Sequence, residues 1–180
     1  MKIKHLALAF VALGVTNIAM ADTGTINFTG QVIQDSCATA LTGGASATAV
    51  TLATVNRNAL ATAGDTANET GFSLNVTGCE GADARGVHFT LTPASFDTTN
   101  NSLIANTGTA TNVGVEIARG TVGTSTPYAF AGAAASSGNV AITGATAGTG
   151  SLPLTAKYKA TGNATAGTVL AALGWTLVYD

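Results

Sequence analysis

The end of the chain alternates between two kinds of position, and this pattern strongly limits the folds it can adopt. The last fourteen residues read GTVLAALGWTLVYD. One side of the alternation comprises Gly167, Val169, Ala171, Leu173, Trp175, Leu177 and Tyr179. A period of two residues is typical of a β-strand that packs one side against a hydrophobic core. The sequence therefore predicts that the chain ends in a strand with an apolar side.

A second segment with the same alternation lies near the N-terminus, where residues 22–32 read DTGTINFTGQV. Its alternate positions are Gly24, Ile26, Phe28, Gly30 and Val32. This predicted strand has no obvious partner within the chain. One interpretation is that it is donated to a neighbouring subunit, which would make the chain a monomer of a fibre. The alternative is that residues 24–32 pair within their own chain as an ordinary first strand.

The first 21 residues have the layout of a secretory signal peptide. Lys2 and Lys4 precede an apolar stretch from Leu6 to Val15, and Ala19-Met20-Ala21 provides an A-x-A cleavage site. The apolar stretch is too short for a membrane span; the alternative interpretation is a buried N-terminal helix. Cleavage after Ala21 would leave residues 22–180, a length suited to one domain.

The charge content argues against nucleic acid as a partner. The chain has 7 Lys and Arg against 9 Asp and Glu, without a basic cluster of the kind that binds phosphate backbones. Charged residues make up only 9% of the chain, and Ala, Thr and Gly dominate instead. Small, turn-forming and β-tolerant residues favour an all-β exported protein.

The two cysteines, Cys37 and Cys79, predict one disulfide, because an exported chain meets an oxidising compartment. Closing a loop of this length contributes about 4 kcal/mol in the chain-entropy model. A redox role is disfavoured because no C-x-x-C pair occurs, and a metal site would need more ligands than the sequence offers.

Strand and turn signals alternate at short intervals along the chain, without a long helical period. Strands are predicted at 24–34, 48–55, 70–77, 86–92, 111–119, 139–143, 152–160 and 168–179. The Ala-rich stretches 59–64 and 129–135 are candidates for a helical turn. Many short strands of this kind predict an antiparallel β-sandwich.

The sequence offers little material for catalysis, so we expect no enzyme and no cofactor. His88 is the only histidine after the predicted signal peptide, and the alternation of Val87 and Phe89 turns it away from the apolar side. No G-x-S-x-G motif occurs, and Gly148-Thr149-Gly150 is followed by Pro153 where a dinucleotide-binding motif needs a glycine.

The chain resembles the subunits of chaperone–usher fimbriae, close to the type 1 major subunit. The matching segments are GTINFTGQVIQDSC at 24–37, GFSLNVTGC at 71–79, VGVEI at 113–117, LPLTAKYKATGNATAG at 152–167, and the terminal strand between Gly167 and Tyr179. Each segment alone is weakly specific. Together they are specific, and the resemblance spans essentially the whole of residues 22–180, with the segments in the same order as in that family.

The resemblance implies an incomplete immunoglobulin-like sandwich, the pilin fold, which lacks its last strand and exposes its core in a groove. It implies a signal peptide at 1–21, an N-terminal donor-strand extension at 22–36 and a pilin domain at 37–180. The implied partners are neighbouring subunits, a periplasmic chaperone and an outer-membrane usher, with the fibre at the cell surface supporting adhesion and biofilm formation. The alternative is a minor adaptor subunit or an adhesive subunit that binds a receptor.

The resemblance also assigns roles to residues at both ends of the chain. Ile26, Phe28 and Val32 would fill pockets in a neighbouring subunit, and Gly24 and Gly30 would lie where the groove is shallow. The acceptor groove and chaperone contact would comprise Gly167, Val169, Leu173, Trp175, Leu177, Tyr179 and Asp180.

Overall fold

The computed structural model describes residues 37–42, 49–79, 86–144 and 147–179, and this part of the chain consists mainly of β-strands. The strands are β1 (Ala38–Thr42), β2 (Thr66–Cys79), β3 (Val87–Pro93), β4 (Val113–Arg119), β5 (Thr126–Pro127), β6 (Ala135–Ser136), β7 (Gly148–Ala160) and β8 (Leu173–Tyr179). A single 3-10 turn, Arg57–Leu60, is the helical element among these residues. No helix in the described ranges is long and apolar enough to cross a membrane.

The strands form two antiparallel sheets. One has five strands in the order β1-β2-β7-β4-β5, and the other has three in the order β6-β3-β8. Every pairing within them is antiparallel. The predicted all-β antiparallel fold is therefore confirmed.

One hydrophobic core joins the two sheets. Leu74 and Val76 of β2 and Leu154 of β7 contribute from the five-stranded sheet, and Phe89 and Leu91 of β3 contribute from the three-stranded sheet. The alternation in β2 and β3 predicts which side chains are buried: the apolar residues point into the core, and the residues that alternate with them along each strand are more exposed. Both sheets thus turn one apolar side toward a shared interior, as in a sandwich.

The central strand of the larger sheet, β7, is enclosed on both sides. Beyond the core, its outer side carries Lys157 and Lys159, which form ion pairs with Glu116 of β4. Lys157 Nζ lies 3.1 Å from Glu116 Oε1, and Glu116 retains only 4% exposure. The lysine side chains therefore cover a carboxylate that would otherwise be buried without a charge partner.

Four of the predicted strands are found with shifted ends: 70–77, 86–92, 111–119 and 152–160 correspond to β2, β3, β4 and β7. The strand predicted at 48–55 is wrong over residues 50–55, which form no strand. The carbonyl oxygen of Ala53 accepts a hydrogen bond from the side chain of Asn68 on β2. The strand predicted at 139–143 is reduced to two single bridges, Val87 with Val140 and Thr143 with Thr149.

Strands β1, β5 and β6 were not anticipated by the pattern because each is only two to five residues long. The helical turn expected at 59–64 overlaps the 3-10 turn at its end, and 129–135 contains a turn without a helix. The predicted signal peptide, 1–21, and the predicted extension, 22–36, with the strand at 24–34, lie outside the described residues.

Candidate functional site

The terminal strand β8 lies beside β3, and the register shows which of its side chains face the core. The paired residues are Val87 with Tyr179, Phe89 with Leu177, Leu91 with Trp175, and Pro93 with Leu173. Residues directly opposite each other in an antiparallel pair project to the same side of the sheet. Since these four β3 residues are buried, their β8 partners project from the core side as well.

These two neighbouring strands differ sharply in burial. Phe89 and Leu91 are 0% exposed, whereas Trp175 is 39% and Tyr179 is 44% exposed. Trp175 does contact the core, because its ring packs edge-to-face on Phe89 with centroids 5.7 Å apart. The core side of β8 is thus apolar and in contact with the interior, yet incompletely covered.

The outer edge of β8 is also open in the described part of the chain. There β8 has β3 as its one strand neighbour, whereas β3 lies between β6 and β8. An edge strand presents a row of backbone N–H and C=O groups that can pair with another strand. β8 carries no charged residue that would oppose such pairing.

Strand β1 is the matching edge of the larger sheet, and among the described strands it pairs with β2 alone. Leu41 of β1 is half-buried against the core, although its registered partner Leu74 is only 2% exposed. Both sheets therefore have one edge at which the apolar interior is partly open.

The two open edges meet at one end of the sandwich. The backbone N–H of Cys37, just before β1, donates a hydrogen bond to the phenol oxygen of Tyr179 at 2.7 Å. Cys37 is bonded to Cys79 at the end of β2, as predicted, with their Cα atoms 4.4 Å apart. The hydrogen bond links residues 142 positions apart, and no local sequence pattern indicates it.

Gly167 and Val169, predicted as part of the terminal strand, lie before it, because β8 begins only at Leu173. The preceding segment pairs with the loop at 105–110 instead: Ala110 N donates to Thr168 O at 3.0 Å, and Thr107 N donates to Leu170 O at 2.8 Å. The predicted start at residue 168 is therefore wrong by five residues.

Close packing explains the glycine at position 167. A Cβ atom there would lie 2.4 Å from the backbone nitrogen of Ala110, which no side chain could tolerate. Val169 packs against the main core.

Of the predicted groove residues, Leu173, Trp175, Leu177 and Tyr179 are brought together on β8. Asp180 and the predicted donor residues Gly24, Ile26, Phe28, Gly30 and Val32 lie outside the described residues.

A carboxylate with a lowered pKa, that of Glu69, belongs to β2 and not to β8. The hydroxyl of Ser125 donates to Glu69 of β2, and Gly123 N donates to its other carboxylate oxygen at 2.9 Å. The bond from Ser125, which has the larger effect, and the bond from Gly123 hold the pKa of Glu69 below its usual value.

His88 lies on the side of β3 opposite Val87 and Phe89. Within the described ranges no group of three His, Cys, Asp or Glu residues could hold a metal ion.

The geometry defines a class of protein: an antiparallel sandwich of the pilin type, with an apolar edge strand at its C-terminus. Comparison with known proteins is consistent with this class. A family model described as "Fimbrial protein" matches residues 26–180. The chain belongs to this fimbrial family, and it is a fimbrial subunit of the chaperone–usher type.

Three characterised relatives are similar in sequence. The major fimbrial subunit SMF-1 of Stenotrophomonas maltophilia (strain K279a) is 35% identical over 99 residues, which cover 55% of this chain and 58% of that subunit. The type-1 fimbrial protein A chain of Escherichia coli is 32% identical over 130 residues, covering 65% and 70%. The minor fimbrial subunit HifD of Haemophilus influenzae is 33% identical over 134 residues, covering 72% and 60%.

Two solved structures share the fold. The P pilus rod subunit PapA has a TM-score of 0.52 at 14% identity, over 87% of this chain and 100% of PapA. The CupB6 tip adhesin from Pseudomonas aeruginosa has a TM-score of 0.50 at 21% identity, over 64% of this chain and 31% of the adhesin. At these identities the likeness concerns the fold alone.

Proposed function

We propose that the chain is a structural subunit that polymerises into a surface pilus, with residues 22–34 of one subunit adding a strand to β8 of the next. The observation that carries this proposal is the exposure of β8. Its core-side residues Trp175 and Tyr179 are 39% and 44% exposed although they are registered with buried residues of β3. A strand added to the open edge would cover these side chains and pair the free backbone groups.

The predicted donor segment has the dimensions and chemistry that this edge requires. As an extended strand, the nine residues 24–32 would span about 30 Å, and the seven residues of β8 span about 23 Å. Ile26, Phe28 and Val32 share one side of the segment, and their burial would contribute about 5–9 kcal/mol before entropic costs. Both strands lack charges between 24 and 32 and between Leu173 and Tyr179.

The same edge would need protection before assembly, because an open apolar strand promotes aggregation. We therefore assign two further partners to the chain, a periplasmic chaperone that covers β8 and an outer-membrane usher at which neighbouring subunits exchange strands. The terminal carboxylate of Asp180 would bind basic residues of the chaperone. Export through the periplasm to a surface fimbrium follows, and the fibre would support adhesion and biofilm formation.

Electron microscopy of cells that carry a deletion of residues 22–34 tests the proposal. The body of the subunit should still be exported and folded, but fibres should be absent. Phe28→Asp should also abolish fibres, because a carboxylate would be forced into an apolar pocket without a partner. Thr29→Asp is the matched control, since it adds the same charge on the opposite side of the strand. Fibres of normal length from the deletion variant would show that residues 22–34 belong to their own fold.

A second candidate is a minor subunit of the fibre, supported by the 33% identity to the minor subunit HifD. The same micrographs separate the two candidates. A cell that lacks the gene should lose its fibres if the chain is the major subunit. It should keep fibres of altered length or altered adhesion if the chain is an adaptor or adhesive subunit.

A further inference from the structure

Tyr179 connects the two ends of the described chain. We propose that it is a positioning residue that fixes the direction in which residues 22–36 leave the domain, and thereby stiffens the joint between consecutive subunits. This inference rests on the proposed function, in which residues 22–34 reach into the neighbouring subunit. Its basis is the hydrogen bond from Cys37 N–H to Tyr179 Oη at 2.7 Å.

Two different restraints act on Cys37. The disulfide to Cys79 holds its side chain, and the Tyr179 phenol holds its amide. The amide N–H lies in the rigid peptide plane that joins residues 36 and 37. A disulfide leaves rotation about the N–Cα bond of Cys37 free, whereas the hydrogen bond restrains that rotation. Tyr179 is thus the contact that orients the chain on the N-terminal side of Cys37.

Tyr179 is itself well anchored on the sandwich. It is registered with Val87, which is buried and also bridges Val140. The backbone of Tyr179 is therefore fixed by β3, while its ring is half-exposed and reaches the amide of Cys37. The phenol joins the edge strand of the smaller sheet to the residue that precedes the edge strand of the larger sheet.

This hydrogen bond holds Cys37, from which the outgoing segment would depart, at the end of the edge that is proposed to receive the incoming one. A strand added to β8 would order the backbone at Tyr179. The Tyr179 hydroxyl would in turn hold the peptide plane before Cys37, from which the next donor segment departs. Successive joints would then share one geometry along the fibre. Without the hydroxyl, the disulfide would still tether Cys37, but the peptide plane before it could rotate.

The test uses Tyr179→Phe, which keeps the ring and removes only the hydroxyl. Tyr128→Phe is the matched control, because the Tyr128 hydroxyl donates to Ser137 O at 3.4 Å, within the body of the domain. Fibres from cells that express the wild type and each variant are compared in two ways. Hydrogen exchange with mass spectrometry follows the Cys37 amide, and electron microscopy gives the bending persistence length of the fibres.

We expect the Cys37 amide in Tyr179→Phe fibres to exchange faster than in the wild type by about two- to tenfold, the range that loss of one such bond produces. Their persistence length should be shorter than in the wild type and in Tyr128→Phe. Equal exchange and equal persistence length in all three would overturn the inference and leave the proposed function intact. If the wild type formed no fibre from this chain, the proposed function would be wrong and the inference with it.

If Tyr179→Phe yields too few fibres to measure, hydrogen exchange of the Cys37 amide in the purified mature chain tests the inference instead. Equal exchange of the Cys37 amide in wild type and variant would then overturn the inference, and faster exchange in the variant would support it.

Discussion

Strands β7 and β8 both turn an apolar side toward the same core, but their surroundings differ. β7 pairs along both edges, with β2 and β4, and its Leu154 is 1% exposed. β8 pairs with β3 alone among the described strands, and its Trp175 is 39% exposed. Both strands show clear alternation in the sequence. Alternation thus tells which side of a strand is apolar, and the neighbouring strands decide whether that side is covered.

The side chains that point away from the core also differ between β7 and β8. Over β7, Glu116 and two lysines form a charged cluster, and the loop at 120–125 is held to Glu69 of β2 by the Ser125 hydroxyl and the Gly123 amide. β8 has no comparable cluster, because its outward residues are Gly174, Thr176 and Val178. The centre of the larger sheet is therefore covered within the subunit, whereas β8 is uncharged and has β3 as its one neighbour among the described strands.

The largest effect should come from truncating a core residue of β7. Leu154→Ala should lower the free energy of unfolding by about 2–5 kcal/mol, because a fully buried leucine leaves a cavity. Leu177→Ala on β8 should lower it by about 1–2 kcal/mol, since this side chain is only partly buried against the core. Urea denaturation of the purified subunit measures both. Equal losses for the two variants would mean that β8 is enclosed as completely as β7.

The next largest effect concerns the charged cluster beside β7. Glu116→Gln should cost about 2 kcal/mol, because two lysines would lose the carboxylate between them. Lys157→Gln is the control, since it leaves Glu116 paired with Lys159, and its loss should be smaller. The urea midpoints of the two variants provide the comparison. A larger loss for Lys157→Gln would show that the carboxylate is not the centre of the cluster.

Trp175→Ala sharpens the comparison on the β8 side. A buried tryptophan at this position would cost about 3 kcal/mol or more, but the observed exposure and the edge-to-face contact with Phe89 predict about 1–2 kcal/mol in the isolated subunit. In fibres the loss should be larger, because the added strand would cover the ring. Denaturant titrations of subunit and fibre test this, and equal losses in both would argue against a covering strand.

The smallest effect is a dependence on pH at Glu69. Its pKa in the folded protein is lowered from a usual value of 4.5, so its contribution to stability is present at neutral pH and is lost as the pH falls below that value toward the folded pKa. Glu69→Gln should remove this acid sensitivity of the loop at 120–125. Hydrogen exchange of the Gly123 amide between pH 6 and the acid range measures it. Identical pH profiles for wild type and variant would exclude Glu69 as the anchor.

The sequence predicted those features that depend on local alternation. The buried sides of β2 and β3 and the outward position of His88 follow from side-chain order alone, and the disulfide between Cys37 and Cys79 follows from the presence of only two cysteines in a chain predicted to be exported. The start of β8 could not be predicted, because Thr168 and Leu170 are as compatible with a strand as Trp175 is. Their backbone partners, Ala110 and Thr107, lie about 60 residues away in the loop at 105–110, and only the folded chain brings them together.

The same reasoning explains what was missed at the candidate site. The Tyr179 hydrogen bond to Cys37 depends on the meeting of two sheets, and β1 is too short for a periodic signal. The degree of exposure of Trp175 also depends on strand order, which alternation does not encode.

The most direct measurement of the central claim is a photo-crosslink from the donor segment. p-Benzoyl-phenylalanine in place of Phe28, with the same probe in place of Thr29 as the control, is activated in assembled fibres, which are then dissolved and separated by mass. Strand donation predicts covalent chains of two or more subunits from position 28, with the crosslink mapped to residues 173–179 of another subunit. Crosslinked monomers, in which position 28 is joined to its own chain, would contradict the account.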